Sequence, residues 1–143
     1  MDIEKQWWDA FDSYGSEFEL ARPNYDKLNK NTQIIGALMK LELDMYNGGF
    51  VQFFCNWGHP AYLLALDGLK QIEAYATKNL LTEAFSIIDK YEDDERIKSL
   101  WDIPAVLSNE DDNQLSQLDE KYWKDEDGIM ERMLSHFPTK DIS

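Results

Sequence analysis

The chain has 143 residues, 28 acids against 14 bases, one cysteine and 13% aromatic content. That length fits one domain, and a 43% apolar fraction can bury a core and is far too apolar for a disordered acidic tail. A net charge of −14 argues against direct nucleic-acid binding, which needs clustered Lys and Arg, and against docking on an anionic membrane.

Helical spacing dominates the chain from its start. Ile3, Trp7, Phe11 and Tyr14 fall on one stripe, with Asp2, Asp9 and Asp12 away from it. Ile34, Ile35, Leu38, Met39, Leu41 and Met45 form a second apolar face, after a cap expected at Asn31 or Thr32. This helix reaches Tyr46 and meets Asn47-Gly48-Gly49, a sequence that permits left-handed backbone angles and a sharp stop. Phe50, Phe53 and Phe54 follow as core candidates, interrupted by Gln52 and Asn56 at helical spacing. Tyr62, Ala65, Leu66, Leu69, Ile72 and Ala76 give a third stripe, entered through Pro60 in a position suited to a first helical turn. Leu81, Ala84, Phe85, Ile88 and Tyr91 give a fourth, Leu115, Leu118 and Tyr122 a fifth, and Ile129, Met130, Met133 and Phe137 a sixth. Two-residue alternation is missing and the chain holds only two Val, so the expected fold is an all-α single domain, a bundle of about six or seven helices.

The start of the chain lacks the basic residues and apolar run of a signal peptide, and no stretch approaches the roughly 18 apolar residues of a membrane span. Cys55 is alone, so nothing asks for an oxidising compartment, and a cytoplasmic location is the expectation.

Templates for chemistry find little support. His59 and His136 lie far apart, with no metal-ligand spacing between them. Cys55 and His59 are four apart, as a thiol–imidazole pair could be, but a buried Cys beside Phe53, Phe54 and Trp57 is the simpler reading. Asp125-Glu126-Asp127-Gly128 lacks the alternating oxygen ligands of a calcium loop and reads as the cap and acidic first turn of the last helix. Asn47-Gly48-Gly49-Phe50 lacks the Lys-Ser/Thr pair of a phosphate loop. The expectation is therefore a noncatalytic protein with no cofactor and no metal. A pocket around Phe50, Gln52, Asn56, Trp57 and His59 remains as an alternative to core packing and capping at the joint.

At this joint the sequence resembles a known family. Glu42, then Asn47-Gly48-Gly49-Phe50-x-Gln52-Phe53-Phe54-x-Asn56, then Gly58, is similar to the signature of small bacterial domains related to DNA mimic protein C-terminal domains. The resemblance covers about 34–137, with residues 1–30 as a helical extension packed on it. It implies an all-helical fold and an acidic surface that occupies the nucleic-acid site of a DNA-binding protein. The signature residues themselves read as scaffold.

The excess acid is unevenly placed: residues 91–143 carry −9 of the net −14. Candidate contact residues for a basic partner are Glu92, Asp93, Asp94 and Glu95, then Glu110, Asp111 and Asp112, then Asp125, Glu126, Asp127 and Glu131. Carboxylates at i,i+3 and i,i+4 lie about 5–6 Å apart on a helix, a spacing suited to standing in for phosphates. The expected function is binding of a basic protein, such as a transcription factor, through acids that mimic DNA. An immunity- or antitoxin-type inhibitor of a basic toxin is the alternative, followed by a small-molecule binder or enzyme at the joint. Exposed aromatics leave a homodimer contact open.

Overall fold

The computed structural model describes residues 2–139. Helix α1 (Ile3–Ala21) starts on Asp2, whose carboxylate accepts the Glu4 amide at 3.1 Å. Its expected stripe is buried at Trp7, Phe11 and Tyr14, and continues to Phe18. Helix α2 (Lys30–Met45) is capped two residues before Asn31, the earlier of the two expected positions: Asn29 Oδ1 accepts both the Thr32 amide (2.9 Å) and the Thr32 hydroxyl (3.0 Å). Thr32 is thus the donor to the cap and not the cap itself.

Helix α2 is the centre of the molecule, buried without a break from Ile34 to Met39. Helix α1 crosses it at Gly36, where any β-carbon would collide with Phe18. The helix that follows, α3 (Phe50–Gln71), crosses α2 at Gly68 against Ile34 and Leu38. Close packing of this kind needs small residues at the crossings, and both are supplied by glycine.

Helix α3 bends at Gly58, whose φ of 74° and ψ of −166° break the helical path. Pro60 then stands in the first turn of the second half, where a missing N–H leaves no bond unmade. The bend lets Phe54, Tyr62 and Phe85 pack together, with Tyr62 and Phe85 stacked at 4.1 Å. The third stripe ends sooner than its spacing predicts. Glu73 adopts φ 57°, which stops the helix, so Ala76 belongs to α4 (Tyr75–Asp89).

A short 3-10 turn, Leu100–Asp102, and the four-residue α5 (Ile103–Val106) lead into α6 (Asn109–Trp123) and α7 (Ile129–His136). Helices α4 and α6 run antiparallel. Lys90 and Tyr91 after the end of α4 hold Asp111 at the start of α6, and Asp127 beyond α6 accepts the Thr77 amide at the start of α4. Arg132 of α7 donates to the carbonyls of Ile72 and Glu73, both at 3.1 Å, closing the bundle. The described residues hold seven α-helices and no strand, as the spacing predicts. Among them no helix is long and apolar enough to cross a membrane.

Candidate protein-binding surface

The joint between α2 and α3 is organised by one residue that sequence reasoning passed over, Asp44. Its carbonyl accepts the amides of Asn47, Gly48 and Gly49 at 3.1, 2.8 and 2.9 Å. Its carboxylate accepts Gln52 Nε2 at 3.1 Å, Asn56 Nδ2 at 3.2 Å and the Trp57 indole N–H at 3.0 Å. Spacing carried the only available signal: Asp44 sits on the buried face of α2, and its partners recur along one face of α3. Gly49 has φ 87°, and the Phe50 amide that follows donates to Asp119 Oδ1 of α6 at 2.9 Å. Burial pushes the Asp119 carboxyl up, and the Phe50 amide opposes that shift. Phe50, Phe53 and Phe54 are in the core. The side-chain amides of Gln52 and Asn56 thus both donate to Asp44 within the protein.

Glu42 lies one turn from Met45 on the same helix and is 3% exposed. The Tyr122 hydroxyl donates to its Oε1. Burial raises the Glu42 carboxyl to about 7; the Tyr122 bond lowers it, and Asp125 and Glu131 raise it further. Tyr122 itself is raised well above the usual phenol range, by burial first and then by Glu42.

The thiol of Cys55 is buried, and burial lifts it to about 11, the opposite of what a nucleophile needs. His59 is exposed and packs against the rings of Tyr62 and Phe85. A concavity of about 270 Å³ does open beside it, lined by Gly58, Phe54, Phe85, Ile97 and Leu100 among others. Of the residues proposed for a pocket at the joint, only His59 lines it; Phe50, Gln52, Asn56 and Trp57 do not.

The acids of the C-terminal third divide sharply. In the turn after α4, Glu92, Asp93 and Glu95 are exposed, while Asp94 is clamped by Arg96 through Nε (3.0 Å) and Nη2 (2.6 Å). That clamp, two residues away, holds the Asp94 carboxyl down to about 2. At the start of α6, Glu110 and Asp112 are exposed, but Asp111 is 3% exposed. Lys90 Nζ donates to Asp111 Oδ1 at 2.6 Å, the Tyr91 hydroxyl donates to Oδ2, and Asp111 is drawn down to about 2 by these bonds, Lys90 first. Its place as a surface contact is therefore corrected: the sequence run Glu110-Asp111-Asp112 turns its middle acid inward, because a cation and a hydroxyl wait for it just past the end of α4. The gain is geometric. This staple fixes the turn carrying Glu92, Asp93 and Glu95 against the helix start carrying Glu110 and Asp112.

The last acidic run is built differently. Asp125 Oδ1 accepts the Ile129 amide at 3.0 Å and so caps α7, whereas Asp127 Oδ2 accepts Thr77 at 2.7 Å and caps α4. Glu126 and Glu131 are exposed. Because α6 spans 15 residues, about 22 Å, this run and the Glu110 patch sit at opposite ends of one helix. The α6 face between them is mostly uncharged, with Asn113, Gln114, Ser116 and Gln117 exposed. Sequence neighbours from 110 to 127 thus form two patches and not one surface.

Among the described residues no group of three or more His, Cys, Asp or Glu side chains is arranged to hold a metal ion. A family model described as DMP19-like protein matches residues 26–140, most of the chain. No curated protein and no solved structure matches it.

Proposed function

The chain belongs to the DMP19-like protein family, and from that membership we propose that it is a noncatalytic acidic module that binds a basic protein in the place of DNA. The observation that carries the proposal is the Lys90–Tyr91–Asp111 staple. It gathers Glu92, Asp93 and Glu95, on the turn after α4, with Glu110 and Asp112, in the first turn of α6, all exposed at one end of the α4–α6 pair. Acids in the first turn of α6 are also favoured by the helix dipole, so this patch costs the fold little. Carboxylates so placed would replace phosphates in a basic groove, and complementary charge would steer the encounter.

Capture of a partner from the native cell tests this, using the immobilised chain at low and at high salt. A basic DNA-binding protein is expected at low salt, lost at high salt and displaced by duplex DNA. Capture indifferent to both salt and DNA would overturn the reading.

A further inference from the structure

A second concavity, of about 490 Å³, opens away from the Asp111 staple, where the first turns of α1 meet the last turn of α2 and the loop before α7. Glu42 lies in its floor. One Glu42 oxygen takes the Tyr122 hydroxyl, and no described residue donates to the other. No fully enclosed side-chain polar atom lacks a partner among the described residues, so that second oxygen meets solvent through the concavity. Asp125 also lines the space, with Oδ1 held by the Ile129 amide and Oδ2 without a donor among the described residues. The walls are aromatic. Trp8 is 38% exposed and Tyr46 54%, and Trp8 is set edge-on to the buried Trp7 at 5.6 Å. Among the described residues no Lys or Arg lines the space.

Carboxylates at the floor, partly exposed aromatic rings at the wall and no cation among the described lining residues together describe a receptor for an organic cation. The flat guanidinium suits it best, because it can bond carboxylates edge-on while its face lies on an indole or phenol. We propose that this concavity receives the guanidinium of an arginine side chain projected by a basic protein partner, with Glu42 and Asp125 as acceptors and Trp8 and Tyr46 as its walls. The source of the arginine rests on the function proposed above; the chemistry of the pocket does not. The groups facing Glu42 are Tyr122 from α6, Asp125 from the loop, Glu131 from α7, Tyr46 from its own helix and Asp2 and Glu4 from the start of α1. All but the two tyrosines are acids, so the bound cation meets no competing cation among these described groups and favours the ionised carboxylate.

The test is an NMR titration of the whole isotope-labelled chain with the blocked tripeptide acetyl-Gly-Arg-Gly-amide. Its citrulline counterpart, neutral and nearly isosteric, and free L-arginine are the comparison probes. Saturable shifts are expected at the Trp8 indole and at the amides of Tyr46 and Asp125, at least tenfold weaker with citrulline. Glu42→Gln keeps an acceptor for Tyr122, and Trp8→Ala alters a half-exposed wall. Each is expected to weaken binding at least fivefold with the remaining spectrum unchanged, while Trp101→Ala leaves it intact. Equal binding of the citrulline peptide, or full binding by both Glu42→Gln and Trp8→Ala, would overturn the pocket. Binding of free arginine alone would overturn the protein side chain as its source. Peptide binding without salt-sensitive partner capture keeps the pocket and removes the DNA-mimic reading; capture without peptide binding does the reverse.

Discussion

The α2–α3 joint and the acidic ends of α4 and α6 treat carboxylates in opposite ways. At the joint, a single acid, Asp44, is 8% exposed and gathers three side-chain donors that would otherwise be left without an acceptor. At the acidic ends, many carboxylates stand in a row, and only a few are consumed by the fold as clamps and caps. The comparison teaches that acid count is a poor guide to acid function. What separates a structural carboxylate from an available one is whether the fold has placed a donor opposite it.

The largest expected effect breaks the joint. Asp44→Ala strands the donors of Gln52, Asn56 and Trp57, and at about 1–3 kcal/mol for an unsatisfied group the loss should reach ~3 kcal/mol or more in urea unfolding. A loss below about 1 kcal/mol would show that the joint holds itself together without its acid.

Glu42 gives the next effect, and its sign runs against the usual one for an acid. Its folded carboxyl is raised from 4.5 to about 7, so the folded chain binds the proton more tightly than the unfolded one. This contribution is complete below about pH 4.5 and is lost as pH rises through 7, on the order of 3 kcal/mol across the window. Asp94 and Asp111, both held down to about 2, act the other way, adding stability above their unfolded range that is lost as pH falls through 2. Unfolding at pH 5 and pH 8 should therefore show the chain weaker at pH 8, with the slope flattened in Glu42→Gln. A slope unchanged by that substitution would assign the pH dependence elsewhere.

Gly49→Ala should cost about 2 kcal/mol, read as a lower melting temperature, because alanine is strained at φ 87° and its methyl group would press on the Asp119 carboxylate. The smallest stability effect belongs to the exposed acids. Combining Glu92→Gln, Asp93→Asn, Glu95→Gln, Glu110→Gln and Asp112→Asn should change stability by no more than about 0.5 kcal/mol while abolishing salt-sensitive partner capture. Capture that survives the fivefold neutralisation would move the contact away from the staple.

Local signals were legible in the sequence and distant ones were not. The stripes of α1, α2, α6 and α7 and the stop at Gly48-Gly49 depend on neighbours within a turn or two, and the structure follows them. Asn29 for Asn31 or Thr32, and the break at Glu73, are shifts of a few residues where several caps or stops compete. The inward turn of Asp111 depends on Lys90, about twenty positions earlier, and the capping of α4 by Asp127 on a partner fifty positions away. No window along the chain contains both halves of such a pair. Asp44 lay between the two: its donors are within thirteen positions, but only the reversal at Gly48-Gly49 brings them back to it.

The crossing of α1 over α2 has a consequence for how the molecule can be cut. The family match begins at residue 26, after α1 has ended, yet α1 buries Trp7, Phe11 and Phe18 against the same core. At about 1.5–3 kcal/mol for each large apolar side chain removed from water, these three rival the whole net stability of an ordinary domain. A fragment starting at residue 26 would leave the groove at Gly36 open and lay bare Met39, and it should aggregate where the full chain stays dispersed. The boundary drawn by family likeness and the boundary of cooperative folding fall, in this protein, on different sides of its first helix.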